Sequence, residues 1–191
     1  MFIQTESTPN PATLKFLPGR DVLGAGTMDF TSDAQAAASP LARALFEIDG
    51  VVGVMLGGDF LTVTKSDVAP WEHLKPALLA AIMDHFLSGA PMIESGAAAP
   101  ASDEADVDYD ETSQGIVTEI KELLDTRVRP AVAGDGGDIV FHRFDVETGV
   151  VFLTMRGACA GCPSSTMTLK AGIENLLRHY VPEVVAVEAV E

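Results

Sequence analysis

The chain has two cysteines, Cys159 and Cys162, and any thiol chemistry of the protein depends on them. They follow an apolar run at residues 150–153, which predicts a buried strand, and they precede a segment with helical spacing. Pro163 fits the first position of that helix, where its missing N–H removes a donor that has no partner anyway. The unpaired N–H groups at a helix start carry partial positive charge and favour a thiolate over a thiol. The turn is therefore suited to a metal ligand or to a redox nucleophile.

The number of cysteines distinguishes these two chemistries. Tetrahedral sulfur sites for zinc or iron–sulfur clusters usually take four thiolates, whereas this chain supplies two. Two chains that meet through their cysteine turns across a two-fold axis supply four. Small residues at positions 158, 160 and 161 leave room for a bulky cluster between two backbones. We therefore predict a metal site shared between two copies, with a thiol–disulfide function and two merely buried cysteines as alternatives.

The chain of 191 residues has a net charge of −16 at pH 7. This charge argues against a general affinity for nucleic acid or for anionic membrane surfaces, because both are themselves negative. No run approaches the length of a membrane span, and residues 1–6 have neither the basic start nor the apolar stretch of a signal peptide. Two unprotected cysteines fit a reducing compartment. The sequence thus predicts a cytoplasmic protein that binds neither nucleic acid nor membrane.

Two folded parts are expected on either side of an acidic segment. Residues 89–112 carry seven carboxylates and no lysine or arginine, and this composition predicts a flexible linker. The predicted domains are therefore residues 1–88 and residues 113–191. Each combines strand patterns with helix patterns, so the predicted fold class is α+β, with two small α+β domains joined by a flexible acidic linker.

The first domain is predicted to contain short strands, a hairpin and two helices. Ser39 is the predicted cap of the first helix, with Pro40 at its first position. Pro76 is expected to kink or split the second helix. His73 and His85 fall on that helix, where a solvated or capping role is more typical than metal ligation. Since it has no cysteine, this domain is expected to serve in recognition or positioning.

The second domain is predicted to be a helix, a hairpin, a helix and a strand. Ser113 is the predicted cap of the first helix, which should end before Pro130 because the residue before a proline disfavours helical geometry. The glycine-rich run 134–138 lacks the Lys-Ser/Thr of a phosphate loop and the spaced acids of a calcium loop, so it predicts a tight turn. Strands at 139–144 and 150–155 form the hairpin, and the second of them leads into the cysteine turn.

Motifs in both domains resemble those of known protein families. In the second domain they are Arg129-Pro130, Asp135-Gly136-Gly137-Asp138, Gly157-Ala158-Cys159-Ala160-Gly161-Cys162-Pro163-Ser164-Ser165, Thr168-Leu169-Lys170 and Val181-Pro182-Glu183-Val184. These resemble the NifU C-terminal domain of Nfu-type iron–sulfur proteins. In the first domain they are Phe2-Ile3-Gln4-Thr5-Glu6, Thr8-Pro9-Asn10-Pro11, Leu14-Lys15-Phe16 and Pro18-Gly19. These are similar to the N-terminal domain of mitochondrial and many bacterial Nfu proteins.

The resemblance implies a non-enzymatic carrier or scaffold that holds a [4Fe–4S] cluster, bridged between two protomers, and transfers it to apo-proteins. Cys159 and Cys162 match the ligand positions of the family. The implied partners are apo iron–sulfur client proteins, upstream cluster-assembly proteins and a second copy of the chain, with the first domain selecting partners. The larger NifU proteins also carry an assembly domain and a ferredoxin-like domain, so late delivery is favoured here. The expected location is the bacterial cytoplasm, with a processed organellar form left open.

Two other functions would use the same cysteines. A thiol–disulfide oxidoreductase is consistent with the order of strand, CxxC and helix. Against it, the domain from Ser113 onward is too short for a thioredoxin-type core, and Pro163 follows the second cysteine instead of lying between the pair. A zinc-bridged dimer with a purely structural role is the third alternative.

Overall fold

The computed structural model describes residues 2–95, 105–161 and 163–190. The chain divides into two compact units, Met1–Ala101 and Ser102–Glu191. Each unit has its own sheet, helices and apolar core, so the predicted fold class of two small α+β domains is confirmed. No helix within the described residues is long and apolar enough to cross a membrane.

The first unit is built on a five-stranded antiparallel sheet. Its strands are β1 (Gln4–Ser7), β2 (Thr13–Leu17), β3 (Met28–Phe30), β4 (Val51–Leu56) and β5 (Leu61–Lys65). They lie in the order β1-β2-β5-β4-β3. Leu14, Val63 and Val54 are paired across three neighbouring strands and are all buried on one face. This burial specifies the register, because a slip of one residue would turn the apolar side chains to the other face.

The helices of the first unit are α1 (Asp33–Ala36), α2 (Pro40–Phe46) and α3 (Trp71–Ser88). Ser39 caps α2 as predicted, since its Oγ accepts a hydrogen bond of 3.2 Å from the N–H of Ala42. Pro40 occupies the first turn of α2, where a proline costs no helical hydrogen bond.

Helix α3 is continuous over its 18 residues, so Pro76 does not split it. Leu74, Leu78 and Ile82 are buried one turn apart along one face and belong to the core of the first unit. The burial of this face offsets the hydrogen bond that a proline removes from a helix interior.

The two histidines of α3 differ in their surroundings. His73 is exposed, as expected, but His85 is buried. Its Nε2 has no hydrogen-bond partner in the part of the chain that the structure describes. Burial lowers the pKa of His85, because the charged imidazolium would lose its hydration. The solvated role expected for His85 is therefore wrong, and its ring packs as a neutral group.

The second unit is a three-stranded sheet with helices. In chain order its elements are α4 (Glu111–Leu123), a π-helical turn (Leu124–Val128), α5 (Arg129–Gly134), β6 (Gly137–Asp145), β7 (Val150–Gly157), α6 (Pro163–Tyr180) and β8 (Ala186–Val190). The strands β6 and β7 form the predicted antiparallel hairpin. The last strand, β8, lies parallel to β7 after the crossover through α6. The cysteine turn therefore begins this crossover.

The first helix of this unit differs from prediction at both ends. Its N-cap is Asp110, whose Oδ1 accepts a hydrogen bond of 2.8 Å from the N–H of Ser113, so Ser113 lies inside the first turn. At the other end the chain does not leave the helical path before Pro130. A π-helical turn intervenes, and Pro130 then occupies the first turn of α5. A wider turn changes the hydrogen-bond register at the point where the proline has no N–H to donate.

The described ends of the acidic segment 89–112 pack against the unit to which they are joined. Met92 and Ile93 contact the core of the first unit, and Glu94 pairs with Arg43 at 2.7 Å. In the second unit the Tyr109 hydroxyl donates to the carbonyl oxygen of Phe144 at 3.1 Å and accepts from its N–H at 2.9 Å. Residues 96–104 lie outside the described residues, and the flexible linker stays a prediction.

Candidate metal centre at the cysteine turn

The cysteine turn lies between β7 and α6. Strand β7 ends two residues before Cys159, and α6 begins at Pro163, so the predicted order of strand, turn and helix is observed. The N–H of Ala158 donates to the carbonyl oxygen of Gly136 at 3.1 Å, and the N–H of Cys159 donates to that of Arg156 at 3.2 Å. These bonds fasten the turn to both arms of the hairpin.

Cys159 is buried, with 7% of its surface exposed, and forms part of the apolar core of the second unit. Its sulfur is a free thiol. The hydroxyl of Thr166 on α6 donates to the carbonyl oxygen of Cys159 at 3.2 Å, which joins the start of the helix to the turn. Cys162 lies outside the described residues, so its role as the second ligand stays a prediction.

Gly137, the first residue of β6, makes room for the Cys159 thiol. It pairs with Gly157 across the hairpin. A Cβ atom added to Gly137 would overlap the sulfur of Cys159 and would lie 3.0 Å from its nitrogen and 3.1 Å from the carbonyl oxygen of Arg156. Glycine is required here by space alone, because the side chain of Cys159 occupies the position that any other residue would fill.

An ion pair holds the start of β6 in place. The carboxylate of Asp138 is almost fully buried and accepts two hydrogen bonds from Arg129, 2.8 Å from Nε to Oδ1 and 2.9 Å from Nη2 to Oδ2. Asp125 accepts a third, from Nη1 at 3.0 Å. These interactions raise the pKa of Arg129 further above its usual range. Because a buried carboxylate requires such pairing, Arg129 fixes the backbone next to Gly137.

Burial raises the pKa of the Cys159 thiol to about 12, and the negative charges of Asp135 and Asp138 act in the same direction. The thiolate predicted from the helix N-terminus is not favoured in the metal-free protein, because Cys159 loses hydration on burial and lies near two carboxylates. A metal would have to displace the proton of Cys159 on binding. A buried neutral thiol is also a poor redox nucleophile, so the thiol–disulfide alternative is not supported.

We expect Cys159 of the metal-free protein to react slowly with iodoacetamide. At pH 8, a thiol whose pKa is about 12 is ionised to about one part in 10,000. The variant Cys162→Ser isolates the reaction of Cys159. The alkylation rate of Cys159 in the folded variant at pH 8 should be at least about tenfold below the rate in the same variant unfolded in urea. The rate in the folded variant should still rise with pH above pH 9. Equal rates for the folded and unfolded protein would contradict this prediction.

Replacing Gly137 with alanine is expected to displace Cys159. The added methyl overlaps the sulfur, so the variant should lose about 1–3 kcal/mol of unfolding free energy, and its Cys159 should be alkylated faster. The matched control is Gly115→Ala on α4, where an added Cβ meets nothing within 4 Å. The control should keep wild-type stability or gain slightly. Urea unfolding measures the stability of each variant, and alkylation measures the accessibility of its Cys159. Identical behaviour of the two variants would contradict the packing described for Gly137.

The described part of the second unit contains no complete metal site around Cys159. Among the described residues, no three histidine, cysteine, aspartate or glutamate side chains are placed to hold a metal ion. On the outer side of the turn, Gly161 is exposed, and an added Cβ there would meet nothing within 4 Å. The turn therefore has a packed side toward Gly137 and an open side toward solvent.

Arg129, Gly137 and Asp138 belong to the motifs that carry the family resemblance, but the residues alone indicate no role for them. The sequence predicts a tight turn at 134–138, and the observed turn is shorter: α5 ends at Gly134, Gly136 adopts a φ of 78°, and β6 begins at Gly137. What the sequence left unidentified is the buried carboxylate and the space beneath the sulfur. The sequence signal for the buried carboxylate and for this space is the Gly137-Asp138 pair, which lies on the strand opposite the one that leads into the cysteines.

Comparison with known proteins finds a matching family model for each half of the chain. Residues 3–89 match the family model described as "Scaffold protein Nfu/NifU N terminal", and residues 120–188 match the "NifU-like domain". The chain is 54% identical over 188 residues to "NifU-like protein 4, mitochondrial" of Arabidopsis thaliana, covering 98% of this chain and 65% of that protein. It is 52% identical over 191 residues to "NFU1 iron-sulfur cluster scaffold homolog, mitochondrial" of Drosophila sechellia, covering all of this chain and 65% of that protein.

The prediction of a bacterial cytoplasmic protein is wrong. Three relatives that are 54%, 54% and 52% identical to this chain are named mitochondrial proteins, and this contradicts the prediction. The prediction depended on residues 1–6, and the start of a chain that spans about two thirds of the length of its relatives does not decide its location.

A further relative covers enough of both proteins to establish the family. "NifU-like protein 5, mitochondrial" of Arabidopsis thaliana is 54% identical over 188 residues, which are 98% of this chain and 67% of that protein. The resemblance recognised from the motifs is thereby confirmed in both domains. This chain belongs to the NifU-like family of iron–sulfur cluster scaffold proteins.

Proposed function

We propose that two copies of this protein hold one [4Fe–4S] cluster between their cysteine turns and transfer it to apo-proteins, without catalysing a reaction of their own. The observation that carries the proposal is the placement of Cys159 in a turn that is packed on one side against Gly137 and open on the other at Gly161. Membership of the scaffold family supports an iron–sulfur cluster as the cargo.

Cys159 and Cys162 are the proposed ligands, with two thiolates from each copy. Four thiolates are the usual complement of a [4Fe–4S] cluster. The open side of the turn at Gly161 faces the second copy, and the Cys159 side chain leaves its packed position beside Gly137 and turns toward that side when the cluster binds. A cluster that is joined to each chain by two sulfurs can be taken over by a client that supplies its own thiolates, one pair at a time. Such transfer conserves the cluster and requires no oxidant or reductant.

The two units are proposed to divide the work. The unit that matches the NifU-like domain carries the cysteines and holds the cluster, and the unit that matches the Nfu N-terminal model recognises client or assembly proteins. The named location of the relatives supports a mitochondrial setting for this exchange.

Anaerobic reconstitution of the full chain with iron and sulfide tests the proposal. We expect visible absorption typical of a [4Fe–4S] cluster, about two iron atoms per chain, and transfer of the cluster to an apo form of a [4Fe–4S] enzyme. Zinc loading serves as the control for a purely structural metal. Tight binding of zinc together with failure to assemble a cluster would contradict the proposal and favour the zinc-bridged dimer.

The proposed division of work gives a separate prediction. A fragment of residues 102–191 should fold and take up the cluster, because it contains the cysteine turn together with the helix cap Asp110 and with Tyr109, which packs on the core of this unit. Limited proteolysis of the full chain should cut first between residues 89 and 112. The control fragment, residues 1–95, keeps the contacts of Met92 and Ile93 with the core of the first unit and should fold but bind no iron. An unfolded 102–191 fragment, or a folded one without iron, would show that the second unit depends on the first.

A further inference from the structure

A pocket with a volume of about 450 Å³ opens on the first unit at the end of α3. It is lined by Phe2, Pro18, Gly19, Arg20, Phe86 and Leu87. Phe2 is 83% exposed and Leu87 is 71% exposed. Single exposed apolar residues are ordinary, but here Phe2 and Leu87 line one cavity together with Phe86, so we consider it as a binding surface. We call this surface the α3 pocket.

Arg20 supplies the charge of the α3 pocket. Its guanidinium carbon lies 5.5 Å from the centre of the Phe86 ring, which orients the side chain by a cation–π contact. None of the six lining residues is acidic, although the chain has 28 acidic and 12 basic residues. A guanidinium beside apolar walls is complementary to a ligand in which a carboxylate neighbours an apolar group.

The neighbouring strand indicates that this ligand is a polypeptide. Phe2 lies two residues before β1, which is an edge strand of the sheet and pairs only with β2 among the described strands. An edge strand offers unpaired backbone N–H and C=O groups. An extended peptide can add to such an edge and direct alternate side chains into an adjacent pocket. A fatty acid would fit the cavity and Arg20, but it has no backbone to pair with β1.

We propose that the α3 pocket and the β1 edge bind an extended segment of a partner protein. An apolar side chain of that segment fills the cavity, and an aspartate or glutamate close to it in sequence pairs with Arg20. The inference rests on the proposed function only in identifying the owner of the segment as a client or assembly protein.

Selection of a displayed library of random octapeptides on the full-length protein tests the proposal. Enriched peptides should carry a large apolar residue with an acidic residue within two positions. Enrichment should fall at least about tenfold on Arg20→Glu and on Leu87→Ser, a position exposed enough to tolerate serine. The matched controls are Lys75→Glu, with the same charge change near the other end of α3, and Val68→Ser, at an apolar residue that is 91% exposed outside the pocket. Both should bind like the wild type.

Charge reversal gives the sharpest readout. An enriched peptide resynthesised with lysine in place of its acid should bind Arg20→Glu more tightly than it binds the wild type. Peptides enriched without acids, enrichment that survives Arg20→Glu, or no enrichment over Leu87→Ser would overturn the proposal. Octanoate binding that depends on Arg20 while no peptide is enriched would also overturn it, in favour of a small carboxylate ligand. Iron content after reconstitution should match the wild type in all four variants, so failure here leaves the cluster site standing.

Discussion

Replacing Cys159 or Cys162 with serine is expected to abolish stable cluster binding. In a site shared by two identical chains, either substitution removes two of the four thiolates at once. A serine hydroxyl is protonated at neutral pH and is a harder ligand than the thiolate that iron–sulfur clusters require. Iron content after anaerobic reconstitution should therefore fall from about two atoms per chain to almost none.

The fold should survive both substitutions, which separates loss of a ligand from loss of structure. Cys159 is buried, so a serine there should cost about 1–3 kcal/mol of unfolding free energy. Circular dichroism and urea unfolding check this directly. The matched control is Ala160→Ser, which adds a hydroxyl to the same turn but removes no sulfur. Wild-type iron content and an unchanged spectrum in Cys159→Ser or Cys162→Ser would mean that the ligands lie elsewhere.

The elements that carry the cysteines are predictable because their signals are local. Apolar residues flank the turn at Gly149. The observed β6 extends the predicted strand by two residues at its start and one at its end, and β7 extends the predicted strand by two residues at its end. The helix after the turn begins at Pro163, as its place at a first helical position predicts. The start of α2 is predictable for the same reason. Ser39 caps the helix and Pro40 fits its first turn, so both signals lie within four residues of the helix start.

Other elements depend on distant partners and leave no such signal. Strand β3 has three residues and exists because Met28 and Phe30 pair with Leu56 and Val54 of β4. The preceding chain is rich in glycine and has no apolar period. The cap of α4 is a related case: the sequence predicts Ser113, but the cap is Asp110, next to Tyr109, whose hydroxyl is hydrogen-bonded to Phe144 of β6.

The position of the cysteine turn between a strand and a helix could be predicted from the sequence, but the surroundings of Cys159 could not. The cysteine spacing identifies Cys159, whereas its contact with Gly137 requires the hairpin register that brings Gly137 opposite Gly157. The pKa of Cys159 depends on burial and on two carboxylates, and the position of Asp138 depends on Arg129. Burial and the two carboxylates raise the pKa of Cys159, and both depend on tertiary contacts. A helix N-terminus lowers a thiol pKa, and it is the only one of these influences that the sequence shows.

Cluster binding is expected to drive dimerisation. With two thiolates per chain, a four-thiolate cluster has to be shared, so the cluster prefers two chains to one. By linkage, the dimer should weaken when the cluster is removed by chelation or oxidation, by as much as this preference. The variants Cys159→Ser and Cys162→Ser should not dimerise on reconstitution, whereas Ala160→Ser should dimerise like the wild type.

Light scattering coupled to gel filtration, performed anaerobically with and without cluster at matched concentration, tests the shared site most directly. The chain has a mass of 20.1 kDa. The cluster-loaded protein should elute at twice that mass with one cluster per two chains, and the same sample should return toward the mass of a single chain after chelation. A cluster-loaded species with the mass of one chain would contradict the shared site at Cys159 and Cys162.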